Sequence, residues 1–356
     1  MTGLSLAGTT RRGNFVLHAA LDAAPGEVIG VLGPNGSGKT TLLEVLAGLT
    51  PLAEGALHVG GERWDDGARH LPPRARRVGM MTARGDLFPH LSALDNVAFG
   101  LRARGASKEA ARARAREELS RVGLAADLAG RRPDVLSSGQ AQRVALARAL
   151  TLDPSVLLLD EPLSAIDARG RDDLRALLGE RLRDQQDVVT LLVTHDAVEA
   201  LTLADRLVFL DGGHLSDGGT PSEVVRRPRS PFAARLVGLN LWRGHVVDGA
   251  TLVTADGARI TAAGGEHPPA GVLEHLAAFA PSSVSLWPSR PEGSPRNTWA
   301  VRVAQIEHTG TSARVHLTGD ADLVADVTLD AVADLSLAPG VPVHATVKAT
   351  EVTLYH

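Results

Sequence analysis

Residues 33–41 read Gly-Pro-Asn-Gly-Ser-Gly-Lys-Thr-Thr, and no other segment narrows the choice of fold as sharply. Gly33, four residues, then Gly38, Lys39 and Thr40 form the pattern of a phosphate-binding loop. The pattern has meaning only between a strand and a helix. Both flanks are present: VIGVLG (28–33) reads as a buried strand and TLLEVLAGL (41–49) as a helix. Glycines let backbone N–H groups turn toward phosphate oxygens, and the helix N-terminus adds partial positive charge. Gly33, Pro34, Asn35, Gly36, Ser37, Gly38, Lys39, Thr40 and Thr41 are therefore the candidate phosphate-binding residues. Lys39 would bridge β- and γ-phosphates, and the Thr40 hydroxyl would bind Mg²⁺. The cofactors expected are ATP and Mg²⁺.

A second strand-end feature fits this chemistry. VLLLDE (156–161) is a buried strand delivering two acids at its C-terminal end, where α/β sheets place ligands. Asp160 would hold Mg²⁺, directly or through water. Glu161 would orient or deprotonate the attacking water. Many strands end in acids, and it is the preceding phosphate loop that gives this pair its meaning.

Lysine usage supports the same site. The chain has 37 basic residues, yet its only lysines are Lys39, Lys108 and Lys348. Where arginine is the default cation, a lysine can mark a need for a compact point charge. Lys39 and Lys348 fall in candidate anion sites. Lys108, in an exposed helical stretch, reads as chance retention.

Residues 1–238 alternate strands and helices, which implies an α/β phosphate-loop NTPase core with a mostly parallel sheet. Within it, about 87–150 reads as a helical subdomain. The stretch 107–124 mixes charges with apolar positions at helical spacing. Its arginines could contact nucleic acid, but acids at 109, 117 and 118 favour a solvated face. From 239 to 356 short alternating segments appear, such as WAVRVAQI (299–306) and ARVHLTG (313–319). They predict a small all-β, barrel-like module in two halves, about 240–290 and 295–356, joined by RPEGSPRN (290–297).

LSSGQAQRVALARAL (136–150) makes the resemblance specific. It resembles the signature motif of ABC-type ATPases, normally LSGGQ followed by an arginine-rich helix. The resemblance implies that Ser137, Ser138, Gly139 and Gln140 face the γ-phosphate held by a second copy of the chain. SAID (164–167) resembles the D-loop, with Asp167 near the dimer interface, and His195 after VTLLVT resembles the switch histidine that contacts the γ-phosphate. The likeness covers about residues 1–238. It implies an ATP-hydrolysing subunit working as a head-to-tail homodimer on the cytoplasmic face of a membrane, beside integral-membrane permease subunits and, indirectly, an extracytoplasmic solute-binding protein. Non-transport members usually carry two ATPase cores or a long coiled-coil insertion, and neither is present here.

Two positions depart from the family pattern. The glutamine that normally stands four residues before the leucine of LFPH is Ala83, and the second glycine of the signature is Ser138. An alanine side chain can neither coordinate Mg²⁺ nor orient water. The adenine-stacking position falls toward Arg12, with Phe15 nearby.

The tail narrows the substrate. SPRN (294–297) and VKATEV (347–352) resemble the molybdate-binding module of molybdate importers. That resemblance implies a tetrahedral oxyanion among Ser294, Arg296, Asn297, Lys348 and Thr350. A doubly charged oxyanion suits hydroxyls, N–H groups and one compact cation. Two alternatives stay open: a module that only dimerises, and a sulfate/thiosulfate or other small-solute importer.

Bulk properties agree. A net charge of −4 and a pI of about 6.4 leave no electrostatic footprint for nucleic acid. The absence of cysteine excludes disulfides and thiolate metal sites. No apolar run reaches the roughly 18 residues of a membrane span, and the N-terminus does not read as a signal peptide. Any membrane role is expected to come through a partner.

Overall fold

The computed structural model describes residues 3–263 and 274–356. Two compact units emerge, Met1–Ser222 and Glu223–His356. The division falls before the 238/239 boundary read from the sequence. Residues 223–238 are tied to the second unit, where the buried Tyr355 hydroxyl donates to the Pro228 carbonyl at 2.6 Å.

The first unit is organised by one ten-stranded sheet. Its strands are β1 (Leu4–Arg12), β2 (Phe15–Ala23), β3 (Val28–Leu32), β4 (Glu54–Val59), β5 (Glu62–Asp65), β6 (Val78–Met81), β7 (Val156–Asp160), β8 (Val189–Val193), β9 (Arg206–Asp211) and β10 (His214–Gly219). The spatial order is β5-β4-β1-β2-β10-β9-β3-β8-β7-β6. From β9 to β6 every neighbouring pair is parallel. The β1, β2, β4 and β5 side is antiparallel, so the whole sheet is mixed. In the parallel part β3 and β8 are buried at every residue, as strands covered on both faces must be.

Among the described residues six α-helices accompany the sheet up to residue 203: α1 (Lys39–Ala47), α2 (Ala93–Ala103), α3 (Lys108–Arg121), α4 (Ser138–Leu150), α5 (Ala168–Arg183) and α6 (Ala197–Leu203). Leu42, Leu43 and Leu46 of α1 pack into the core with Val31, Leu158 and Leu191 of the sheet. Helices α2, α3 and α4 lie in the segment expected to be helical. Each starts at a serine whose hydroxyl accepts a first-turn N–H: Ser92, Ser107 and Ser137.

One sequence expectation needs correction in α3. Glu109 and Glu117 are exposed, but Glu118 is only 1% exposed. It falls on the stripe of Ala111, Ala115 and Leu119, which is the buried face. Its carboxylate is compensated by Arg121 at 2.7 Å, by Arg114 at 3.3 Å and by Arg181 of α5 at 2.8 Å. The acid therefore joins the helical subdomain to α5 instead of facing water.

Among the described residues, the second unit holds two five-stranded antiparallel sheets. Its strands are β11 (Asn240–Val246), β12 (Thr251–Thr254), β13 (Arg259–Thr261), β14 (His275–Phe279), β15 (Ser285–Trp287), β16 (Asn297–Thr309), β17 (Ser312–Gly319), β18 (Leu323–Thr328), β19 (Pro342–Val347) and β20 (Thr353–Tyr355). The sheets run β13-β12-β11-β14-β20 and β15-β19-β16-β17-β18. The halves read from the sequence are thus interleaved: β20 pairs with β14, and β15 pairs with β19. A shared core of Trp242, Phe279 and Trp299 explains why the halves do not separate, with the two indole rings 4.9 Å apart.

Candidate nucleotide site

The loop after β3 has little freedom in residue choice. A Cβ at Gly33 would lie 2.1 Å from the Leu210 carbonyl oxygen. Gly38 has φ 109°, and a Cβ there would lie 2.6 Å from the Phe15 ring. Lys39 then opens α1. Its ammonium donates to the carbonyls of Gly33 at 2.8 Å and Pro34 at 2.9 Å. Burial lowers its pKa, and the carboxylates of Glu161 and Asp160 oppose that shift. A compact cation is thus held over the loop, facing two acids.

Those acids end β7. Burial raises the Asp160 pKa, Glu161 raises it further, and Lys39 opposes both. Glu161 adopts φ 48°, a left-handed conformation that costs a non-glycine residue roughly 1 kcal/mol. Three bonds hold it there: its N–H donates to Val193 O at 2.8 Å, and its carbonyl accepts the Ser164 hydroxyl at 2.9 Å and the Ser164 N–H at 3.1 Å. Strain of this kind gathers at functional sites. His195 follows β8, with Nδ1 3.3 Å from Glu161 Oε1.

Lys39 and the two acids meet at one cavity of about 490 Å³; His195 is not on its wall and reaches it only through Glu161. Asn35, Gly36, Gly38, Lys39, Thr40 and Thr41 line it from the loop, and Asp160 and Glu161 from β7. Arg12 and Phe15 complete the wall. Pro34 is exposed, while Ser37 is buried. The Arg12 guanidinium is paired with Glu44 at 2.9 Å, and Phe15 packs on Gly38, so both candidates for the adenine position stand at the cavity. Thr40 and Asp160 offer hard oxygen donors on that wall, the donor type Mg²⁺ takes alongside phosphate oxygens and water.

The signature segment does not line this cavity. Ser137 caps α4, its hydroxyl accepting Gln140 N–H at 3.2 Å while Gln140 Oε1 accepts Ser137 N–H at 2.9 Å. Ser138 occupies the first helical position and is exposed, and a Cβ at Gly139 would meet nothing within 4 Å. The result is an open, capped helix N-terminus, suited to an anion. Asp167 caps α5 by accepting Gly170 N–H at 2.9 Å, and it too is absent from the cavity wall.

Comparison with known proteins resolves the family. Residues 17–164 match the ABC transporter family and residues 293–354 the TOBE domain. The Molybdenum import ATP-binding protein ModC of Mycobacterium tuberculosis (strain ATCC 25618 / H37Rv) is 38% identical over 349 residues, covering 95% of this chain and 94% of that protein. The chain belongs to the ABC transporter family. Other relatives in it include a Sulfate/thiosulfate import ATP-binding protein, CysA 2, of Agrobacterium fabrum, 45% identical over 63% of this chain and 64% of that one. Among solved structures, the dimeric ATP-binding cassette MJ0796 bound to ADP and Pi aligns with a TM-score of 0.52 at 31% identity. It covers 60% of this chain and 98% of its own. Among the described residues no helix is long and apolar enough to cross a membrane.

Within this ABC chain, the segment around Ala83 is a turn. Gly85 N–H donates to Thr82 O at 2.9 Å, and the Thr82 hydroxyl donates to Asp86 at 2.7 Å. Two side chains of α4 strap it down. Gln142 Nε2 donates to Ala83 O at 2.8 Å, and Arg148 donates to Gly85 O and Asp86 O at 2.7 and 2.8 Å. Nothing in the helical run of α4 marks Gln142 and Arg148 as residues that serve a loop far away in sequence. Since the backbone of the turn is held from α4, a glutamine at 83 can be added without rebuilding it. Ala83→Gln should raise ATP turnover at saturating ATP while leaving ATP affinity within about twofold, read by steady-state kinetics and a nucleotide titration. An unchanged or lower rate would mean the chain has replaced the missing amide.

The five oxyanion candidates are brought to one end of the β16–β19 ladder, because Asn297 pairs with Val347. Asn297 is buried, and its amide is committed to both backbone groups of Thr261, at 2.7 and 2.9 Å. Ser294, Arg296, Lys348 and Thr350 are exposed.

Proposed function

We propose that this chain is the ATP-hydrolysing subunit of an importer for an oxyanion, molybdate in particular. The observation that carries the reading is the likeness to the molybdenum import protein over 95% of the chain, across both the ATPase unit and the β-rich unit. Relatives named for sulfate/thiosulfate and sn-glycerol-3-phosphate import match only about two thirds of it.

In this reading the loop N–H groups and Lys39 bind the β- and γ-phosphates of ATP. Mg²⁺, held through Thr40 and Asp160, would neutralise charge developing on the phosphates. Glu161 accepts a proton from the attacking water or orients it, and His195 contacts the γ-phosphate. Ser137, Ser138, Gly139 and Gln140 would complete the site of a second copy, with Asp167 beside the interface. That assignment accounts for a capped helix end that stands off the nucleotide cavity of its own chain. Two ATP molecules would then be buried between two copies, as the dimeric neighbours suggest. The chain would act at the cytoplasmic face of the membrane, against permease subunits fed by a solute-binding protein.

The β-rich unit would sense oxyanion through Ser294, Arg296, Lys348 and Thr350, with Asn297 fixing the strand end that presents them. Calorimetry on the full chain tests this. Molybdate should release heat, and Lys348→Ala should weaken binding by about tenfold, the loss of one charge-assisted contact. No heat with molybdate, tungstate or sulfate would reduce the unit to a dimerisation element.

A further inference from the structure

Beside the nucleotide cavity lies a second one, about 50 Å³, lined by Glu161, Ser164, Arg171, Thr194, His195 and Glu199 among others. Glu199 has no part in the chemistry described so far. It is 3% exposed, and its Oε1 has no hydrogen-bond partner among the described residues. Its Oε2 accepts the Thr194 hydroxyl proton.

The bond pattern is unusual for the start of a helix. Asp196 is the N-cap of α6, accepting Glu199 N–H at 2.9 Å. Glu199 stands three residues on, where an acid normally reaches back to the N-cap N–H. Here the Thr194 hydroxyl accepts that N–H instead, at 3.0 Å, and donates its own O–H to Glu199. The capping ring is therefore enlarged by one group, and the residue enclosed by the enlargement is His195. A carboxyl serving only to cap α6 would not need Thr194.

We propose that Glu199 is a positioning residue for ATP hydrolysis: through Thr194 it fixes the backbone on both sides of His195, and so fixes the imidazole against Glu161 and the γ-phosphate. The proposal rests on the nucleotide reading above. The charged groups around Glu199 are Asp196 and His195 on its own segment, Arg171 and Arg175 on α5, and Glu161 after β7. Burial raises the Glu199 pKa, the Thr194 hydrogen bond opposes this, Asp196 adds to it, and Arg175 and His195 oppose it. A carboxyl and an amide can both accept the Thr194 proton, so the role does not depend on charge.

The test is steady-state turnover and ATP affinity of the full chain for wild type, His195→Ala, Glu199→Ala, Glu199→Gln, Thr194→Val and the Thr194→Val/Glu199→Ala pair. Misplacing a catalytic contact by about 1 Å can cost up to ~10²-fold. Glu199→Ala should therefore lower kcat by about ten- to a hundred-fold with ATP affinity changed by no more than about twofold. Glu199→Gln should recover most of the rate. Thr194→Val should lose rate alone, and the pair should be no worse than the poorer single variant. Should Glu199→Ala fail to fold, Thr194→Val carries the same test. A Glu199→Ala enzyme with unchanged kcat, or one that loses ATP affinity in proportion to rate, overturns the proposal. An inactive wild type or an indifferent His195→Ala overturns the nucleotide reading and this proposal together. An active, His195-dependent wild type with an indifferent Glu199→Ala removes this proposal alone.

Discussion

Lys39→Ala should lower ATP turnover by about 10²–10³-fold, the usual cost of removing one donor aimed at developing charge. The ammonium now rests on the carbonyls of Gly33 and Pro34, within the field of Asp160 and Glu161. Removing it leaves these acids facing the phosphates uncompensated. ATP affinity should fall as well, because the cation contacts phosphate in the ground state too. The fold should persist. Glycines 33 and 38 set the loop by close approach to Leu210 and Phe15, independently of the lysine. Turnover and nucleotide titration on a variant of native melting temperature would check this. A variant that keeps more than about a tenth of wild-type kcat would remove Lys39 from the site.

The phosphate loop and the acids of β7 were legible because each is compact in sequence and its chemistry follows from residue type. A glycine-rich turn before a lysine, between a strand and a helix, has few other uses, and it is that loop which gives the two acids at the end of β7 their meaning. His195, Asp167 and the signature serines were legible only through family resemblance. Each is by itself an ordinary polar residue at a strand or helix end. Glu118 was misread as solvated because its partners, above all Arg181 of α5, lie far along the chain. The strap of Gln142 and Arg148 on the turn at Ala83 was missed for the same reason. In the β-rich unit the strands were visible from alternation, but their exchange between sheets was not. The pairings of β20 with β14 and β15 with β19 are set by a shared aromatic core, and no local pattern encodes them.

Glu161→Gln should separate binding from hydrolysis. The carboxylate is held at the cavity by a strained backbone, 3.3 Å from His195 Nδ1. Glutamine preserves its shape and can still accept a hydrogen bond, but it cannot take a proton from water. Loss of a positioned base costs about 10²–10⁴-fold in rate. Lys39, Thr40 and the loop N–H groups are untouched, so ATP should still bind. If Ser137–Gln140 of one copy close over the nucleotide of the other, a bound and unhydrolysed ATP should hold the two copies together. The direct measurement is the mass of Glu161→Gln by size-exclusion chromatography with light scattering, with and without Mg-ATP. The account predicts a dimer that appears with ATP and reverts when ATP is removed, whereas a protein that binds ATP and stays monomeric would contradict it.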